Sequence, residues 1–277
     1  RPEFHFTSHP IFDESKPQTY FFHRWANFLH INTKEITLKN ESAFFMQKCQ
    51  FLPDDLAQLE RHLRDKKYIH KAKVSMNKAK NRVNIDVWDN WSLLPSLDLG
   101  RKGGENRFAI GLKDRNLLGL GIDAEIKSFS NSQRSGFKFD GHAPLFLHNH
   151  SQASYRISDN DDGKVFSLFL SKPFVSLSSD NAFKIGFNHE ERQDTIFQNG
   201  EKDTVFRHDL DYQTASFGWL QKKTPGYSLR YTLGITLDEH NFSQLEDVQD
   251  HIPDHELPDD RYFLYPWFGI EYIENDY

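Results

Sequence analysis

His148 and His150 stand two residues apart, a spacing that puts both imidazoles on one face of a strand and could give a metal ion two ligands. No third ligand follows nearby, and a polar loop after Leu147 accounts for both. Residues 159–163, Asp-Asn-Asp-Asp-Gly, begin like a calcium loop, but the glycine and the later glutamate that such a loop needs are misplaced. A hairpin turn is expected there instead. Gly119-Leu-Gly121 lacks the third glycine and the following helix of a dinucleotide fingerprint. Glu190 and Glu191 have the chemistry of glycosidase carboxylates, yet they read as a solvated pair. No Gly-x-Ser-x-Gly elbow occurs. The single cysteine, Cys49, rules out an internal disulfide and a cysteine-built zinc centre, and is expected to be a small buried hydrophobe. These residues therefore predict no catalytic centre, no metal and no cofactor, and the chain is not expected to be an enzyme.

The elements that carry these residues fall into two regions. Over residues 1–91 the pattern is mixed α and β. Residues 20–31 are aromatic and apolar at near-helical spacing, with Tyr20-Phe21-Phe22 expected in a core. Residues 34–39 alternate at Ile36 and Leu38, as a strand would. Pro53-Asp54-Asp55 reads as a helix start, because proline is preset for the first turn and carboxylates suit its positive end. Leu56, Leu59 and Leu63 then form one apolar stripe on a helix ending near Lys67. Strands follow at 68–76 and 82–88, joined by the polar loop 77–81.

After Trp91 the helical period gives way to segments of about ten residues that alternate strictly. Phe108, Ile110 and Leu112 oppose Ala109, Gly111 and Lys113. Phe183, Ile185 and Phe187 oppose Lys184, Gly186 and Asn188. Over residues 227–237, Tyr227, Leu229, Tyr231, Leu233, Ile235 and Leu237 share one face. Ser228, Arg230, Thr232, Gly234 and Thr236 share the other. Phe129, Phe146, Phe174, Phe197, Phe217, Trp219 and Phe242 are expected near strand ends. Turns are expected at 160–163, 198–200 and 224–226, and a long acidic loop at 241–260. A soluble sandwich would turn the apolar faces inward, whereas a membrane barrel would turn them outward. Periodicity alone leaves both open.

Composition narrows the class. The 277 residues carry a net charge of −6, which disfavours a nucleic-acid partner. Residues 1–91 hold 15 basic against 11 acidic residues, and residues 92–277 hold 19 against 29, so the two regions face different surroundings. No run of 18 apolar residues encodes a membrane helix, which leaves a membrane β-barrel open. Phenylalanine contributes 25 residues, a high share for so polar a chain. Arg1 follows no Met or apolar leader, from which a removed signal peptide or a fragment is expected.

Three stretches resemble the BamA/TamA (bacterial surface antigen) superfamily of outer-membrane proteins. Residues 54–91 are similar to the polypeptide-transport-associated (POTRA) module, with Leu63-Arg64 near the helix end and Tyr68-Ile69 opening the hairpin. The run Asp114-Arg-Asn116-Leu117-Leu118-Gly119-Leu-Gly121 resembles the hairpin turn near the beginning of these barrels. Asp89-Asn-Trp91 resembles the junction between module and barrel. The resemblance departs from the family before the helix, where Gln47-Lys48-Cys49-Gln50 replaces the usual glycine, and in lacking a late Val-Arg-Gly-Phe-like motif.

This resemblance implies an α+β POTRA module at 1–91, followed at 92–277 by an antiparallel transmembrane β-barrel. The barrel is expected to be incomplete, with about nine to eleven strands and truncation at the C-terminus. It also implies a protein of the bacterial outer membrane whose module lies in the periplasm. Its work would be to insert β-barrel proteins into that membrane or pass polypeptides across it. Expected partners are outer-membrane lipid, unfolded clients and periplasmic or lipoprotein assembly factors. A client strand is expected to add to a sheet edge at residues 82–87 or 36–39. The first barrel strand, near 93–100, is the expected seam, weakened by Gly100, Gly103 and Gly104. The alternative is a soluble β-rich binding or carbohydrate-active protein.

Overall fold

The computed structural model describes residues 1–12, 21, 27, 30–49, 51–102, 104–146, 150–174, 179–198, 201–224, 227–245 and 257–274. The chain forms two compact units. One comprises Arg1–Ser96, Gly111–Glu125 and Gly141–His150. The other comprises Leu97–Ile110, Ile126–Asp140 and Ser151–Tyr277.

The first unit contains an α+β module. Strand β1 (Glu3–His9) is followed by helices α1 (Glu35–Glu41), α2 (Ala43–Met46) and α3 (Pro53–Arg64), then by strands β2 (Ile69–Asn77) and β3 (Arg82–Asp89). The sheet order is β1-β3-β2, with β1 parallel and β2 antiparallel to β3. Helix α3 starts where proline and the acidic pair predict. The Asp55 carboxylate accepts the Leu52 N–H at 2.9 Å and pairs with Lys48. Its apolar stripe buries Leu59 and Leu63 against Ile69, Ala72, Val83, Ile85 and Val87, with Leu38 and Phe45 completing the core. The alternation of β3 delivers Val83, Ile85 and Val87 to that core from a single strand face.

Several expectations fail here. Residues 35–41 are helical. Thr37 and Leu38, adjacent in sequence, are both buried, as are Ser42 and Phe45 farther along; that spacing suits a helix face and cannot come from one face of a strand. Residues 36–39 therefore offer no sheet edge, and neither do 82–87, because β3 is the central strand. Cys49 is exposed, as is Phe21. Most of 20–31, with Tyr20 and Phe22, lies outside the described residues.

Ten strands form the second sheet in sequence order, each hydrogen-bonded to the next. They are β4 (Leu93–Lys102), β5 (Glu105–Leu117), β6 (Ile122–Ser130), β7 (Ser135–Leu145), β8 (Ser151–Asn160), β9 (Gly163–Lys172), β10 (Asn181–Gln198), β11 (Glu201–Lys223), β12 (Tyr227–Gln244) and β13 (Arg261–Glu274). The sheet is antiparallel and is not closed: β4 and β13 are its edges. The ten strands match the expected number, but β10, β11 and β12 run to 18, 23 and 18 residues. Strand β12 absorbs residues 241–244 of the expected acidic loop, and Phe217 and Trp219 lie well inside β11 rather than at its end. Asp161 and Asp162 form the β8–β9 turn, where Asp161 accepts from the Ser135 N–H and hydroxyl. Gly103, His148, Asn199, Gly200, Pro225 and Gly226 lie outside the described residues.

The module carries its own acid sensitivity. Burial by itself pushes the Glu41 carboxyl up, but His62, Lys66 and the Tyr68 hydroxyl, which donates at 3.1 Å, outweigh it and bring it from 4.5 to about 2. A lowered folded-state value gives stability that is complete above the ordinary carboxylate range and lost as pH falls toward 2. The contribution is at most about 3 kcal/mol. Glu41→Gln should lower the module's stability near pH 6 and flatten its loss between about pH 4.5 and 2.5, as read by amide hydrogen exchange in α1 and α3.

Candidate functional site

The β5–β6 turn packs onto the α+β module within the first unit, and its residues are the ones singled out from the sequence. Asp114 accepts the Asn116 N–H at 2.9 Å, and the Asn116 side-chain oxygen accepts the Gly121 N–H at 2.7 Å, so the turn is held from inside. The Asn116 amide then donates to the Thr33 hydroxyl at 2.8 Å. That hydroxyl donates to Asp89 Oδ1 at 2.8 Å, while Asp89 Oδ2 accepts the Thr33 N–H at 2.6 Å and faces His30 Nε2 at 3.0 Å. A carboxylate only accepts, so His30 donates there. Thr33, Asp89 and Asn116 are all buried. A buried carboxylate with three donors is compensated; stripped of them it would cost several kcal/mol.

Backbone contacts complete the joint. The Gly119 carbonyl accepts the Lys34 N–H and the Thr37 hydroxyl, each at 2.9 Å. Gly119 has φ +72°, and a Cβ on it would stand 2.3 Å from the Asn32 carbonyl oxygen. The position thus needs glycine twice over, for its backbone and for its clearance. Gly121 lies against Thr37 and the Tyr68 hydroxyl, so the hairpin motif and the module motif meet at Tyr68. Leu63, Tyr68 and Ile69 belong to the module core, whereas Arg64 lies on the surface 3.8 Å from Glu60. Leu117 is half-buried, and Leu118 is exposed at φ +59°. Thr33, Thr37 and His30 are partners that sequence reasoning missed. Asp89 carried a signal, being a carboxylate at the fourth place of the stripe Val83, Ile85, Val87.

The second feature is the wall of the large sheet. On β12, Leu233 is 53% exposed and Ile235 49%, while Ser228, Arg230 and Thr236 on the opposite face are 0%, 4% and 2% exposed. Phe108 and Ile110 on β5, Ile185 on β10 and Phe217 on β11 are exposed like Leu233. Register carries the apolar face across strands: Phe183 pairs with Phe217, Phe217 with Leu233, and Leu233 with Phe268. The shielded face is polar. Arg230 donates to Glu271 at 2.8 Å with its guanidinium 4.5 Å from the Phe174 ring centre, and Thr214 and Thr236 hydroxyls meet at 3.1 Å. The Trp267 indole N–H donates to Thr236 at 3.1 Å as its ring lies over Gly234, where a Cβ would come within 2.3 Å. This is the reverse of a soluble sandwich.

The outward apolar face has a limit. On β12 it runs from Tyr227 to Leu237 and then turns polar at Glu239, Asn241 and Ser243. Glu239 aligns with Asp211 and Asp211 with His189, so three strands change character together. Eleven residues at about 3.3 Å each, tilted by about 40°, span roughly 25 Å. Beyond that line His189 pairs with Asp211 at 2.8 Å, and Arg207 with Asp209 at 2.9 Å and Glu191 at 3.2 Å. Glu190 and Glu191 are thus members of ion pairs on opposite faces of β10. Among the described residues, no group of three or more metal-ligating side chains converges.

No family model matches the chain, and no curated protein does. Among solved structures, the chain is similar to the crystal structure of BamA from Haemophilus ducreyi lacking POTRA domains 1–3, with 13% identity and a TM-score of 0.46. The match covers 76% of this chain and 48% of that one, so the chain spans about half the length of the structure it matches.

Gly119→Ala should cost at least about 2 kcal/mol, because it adds a backbone clash to an unfavourable φ. Gly104, at φ +89° with open space around it, meets only the second penalty. Gly104→Ala should therefore cost about 1 kcal/mol. Denaturant midpoints of the two variants measure the difference.

Proposed function

We propose that this chain is an outer-membrane protein of the BamA/TamA type, with the ten-stranded sheet standing in the bilayer and a POTRA-type module in the periplasm. The observation that carries the reading is the polarity of the wall. Large apolar side chains occupy the exposed face, and hydroxyls, a salt-bridged arginine and glycines occupy the shielded one. Hydrocarbon requires that arrangement, and a height near 25 Å is what a bilayer core asks of it. The soluble alternative needs those residues on the shielded face, where they are not.

In this reading the work is non-enzymatic: insertion of β-barrel proteins into the outer membrane, or passage of polypeptides across it. Clients would meet the module at a free strand edge, where backbone hydrogen bonds make few demands on sequence. The edges of its sheet are β1 and β2. Beside β2 lies a groove lined by Pro53, Leu56, Ala57, Glu60, Arg61 and Val74, with the Val74 N–H already held by the Glu60 carboxylate at 3.1 Å. A client strand would exchange its own carbonyl for that carboxylate. The edge strand β4 is the corresponding seam in the wall. Lipid, unfolded clients and periplasmic or lipoprotein assembly factors are the partners proposed.

Depth-dependent charge tolerance tests this. Leu233→Arg, placed mid-height on the apolar face, should cost about 2–4 kcal/mol in a bilayer; Asn241→Arg, on the same face beyond its limit, about 0–1 kcal/mol. Folding into lipid vesicles, read as heat-modifiable gel mobility, measures both. Equal tolerance of the two, with a folded monomer in plain buffer, would favour the soluble reading.

A further inference from the structure

Near the β5–β6 turn the outward face of the wall is covered before the strands end. Counting by twos along β5 from Phe108, the outward positions are Ile110, Leu112, Asp114 and Asn116. Leu112 is 46% exposed and Asn116 only 2%, where Thr33 of the module lies against it with its hydroxyl 2.8 Å from the amide. On β6 the change is the same: Ile126 is 54% exposed, and Ala124, one outward position nearer the turn, is 7% exposed. The module therefore overhangs the outward side of β5 at the level where its apolar residues stop.

The rim of that overhang is apolar. Ile31 and Leu118 are exposed, and with Trp91 and Leu93 they line one groove between the module and the strand ends. Trp91 and Leu93 continue the outward positions of β4, counting back by twos from the exposed Leu97 and Leu99. Ile31 sits on the turn itself, since a Cβ on Gly119 would stand 3.4 Å from its Cγ2. A second groove lies beside α1 and α2, where the exposed Ile36 and Met46 face Phe146, which follows β7. We propose that this rim is an interfacial anchor, in which Ile31, Ile36, Trp91 and Leu118 sit at the headgroup–acyl boundary of the bilayer and lipid occupies both grooves. The inference rests on the outer-membrane reading and adds to it that the module itself touches lipid.

Height and residue type both support lipid as the occupant. Four residues separate Leu112 from Asn116, roughly 10 Å of height on a strand tilted by about 40°, which is comparable with the depth of one headgroup layer. Tryptophan, with an apolar body and a polar N–H, favours that layer. Lys34 and Lys39 are exposed on either side of Ile36. Lys39 pairs with Glu35 at 2.7 Å, so Lys34 is the cation offered to a lipid phosphate. A protein partner would also have to displace lipid from Leu93, which belongs to the face that the bilayer covers. Continuity of the groove with that face favours lipid.

Spin labels on the full chain in vesicles of phosphatidylethanolamine and phosphatidylglycerol test the anchor. Ile31→Cys, Ile36→Cys and Leu118→Cys are each labelled in a Cys49→Ser background, with Leu233→Cys and Ser75→Cys as references for wall and water. Ser75 is exposed and pairs with Asn84, five residues or about 17 Å along β3 from Asp89 at the joint. The ratio of oxygen contact to nickel-chelate contact should be highest at 233, lowest at 75 and intermediate at 31, 36 and 118. Ratios at 31, 36 and 118 that match 75, while 233 reports lipid, overturn the anchor and leave the outer-membrane reading standing. Water contact at 233 as well overturns both. Should the labelled variants not fold, the wild-type chain in vesicles whose lipids carry a photoactivated carbene at the headgroup end of the acyl chain decides. Adducts on residues 31–36 and on 118 support the anchor, and adducts confined to the wall overturn it.

Discussion

A β-sheet offers two faces, and everything about the larger part of this chain follows from which face is given to apolar side chains. Leu233, Ile235, Phe217 and Ile185 look outward, while Ser228, Arg230 and Thr236 are shielded. Water outside would penalise that choice, because exposed contiguous apolar surface is costly. Hydrocarbon outside rewards it. The same choice explains why the shielded face is built from hydroxyls, a salt bridge and flat aromatics over glycine, since each polar group there must find a partner. It also explains why the apolar face stops in register across β10, β11 and β12 at His189, Asp211 and Glu239. Beyond that line ion pairs join the strands, as His189 joins Asp211 and Arg207 joins Asp209.

The α+β module obeys the ordinary rule of an apolar interior, and the two regimes meet at a polar joint. Asp89 closes the buried stripe of β3 and is satisfied by Thr33 and His30; Thr33 passes the contact to Asn116, and Asn116 organises the turn that ends in Gly121. Each hydrogen bond is directional and buried or partly buried, so this joint fixes one arrangement of turn against module. Gly119 lets the backbones approach closely enough for that to happen.

Much of this was legible in the sequence, and the failures have physical causes. The alternation over residues 227–237 gives strand and face, since period two is unambiguous over eleven residues, but not length, because β12 continues to Gln244 where the apolar pattern has ended. It gives no direction, because an inward and an outward apolar face have the same period. Residues 34–39 misled because a six-residue window holds too few turns to separate two periods, and burial of the neighbours Thr37 and Leu38 needed the core to be seen. The hairpin motif from Asp114 to Gly121 was visible as a motif, and Leu63, Tyr68 and Ile69 as another. Their meeting at Tyr68 joins residues about fifty positions apart, which local pattern does not encode. The ion pairs that link Arg134, Glu190, Arg192 and Asp194 were invisible for the same reason: they join a strand entry to a strand whose place in the sheet had to be known.

The direct test of the central claim is accessibility along β12 in a bilayer. Single cysteines in a Cys49→Ser background, placed at successive positions from 227 to 237 and spin-labelled, report contact with lipid-soluble oxygen and with a water-soluble nickel chelate. Oxygen contact should peak at 229, 231, 233 and 235, with minima at 228, 230, 232 and 234. Oxygen contact that is low at both parities, or that peaks at the even positions, would contradict an apolar face turned to lipid.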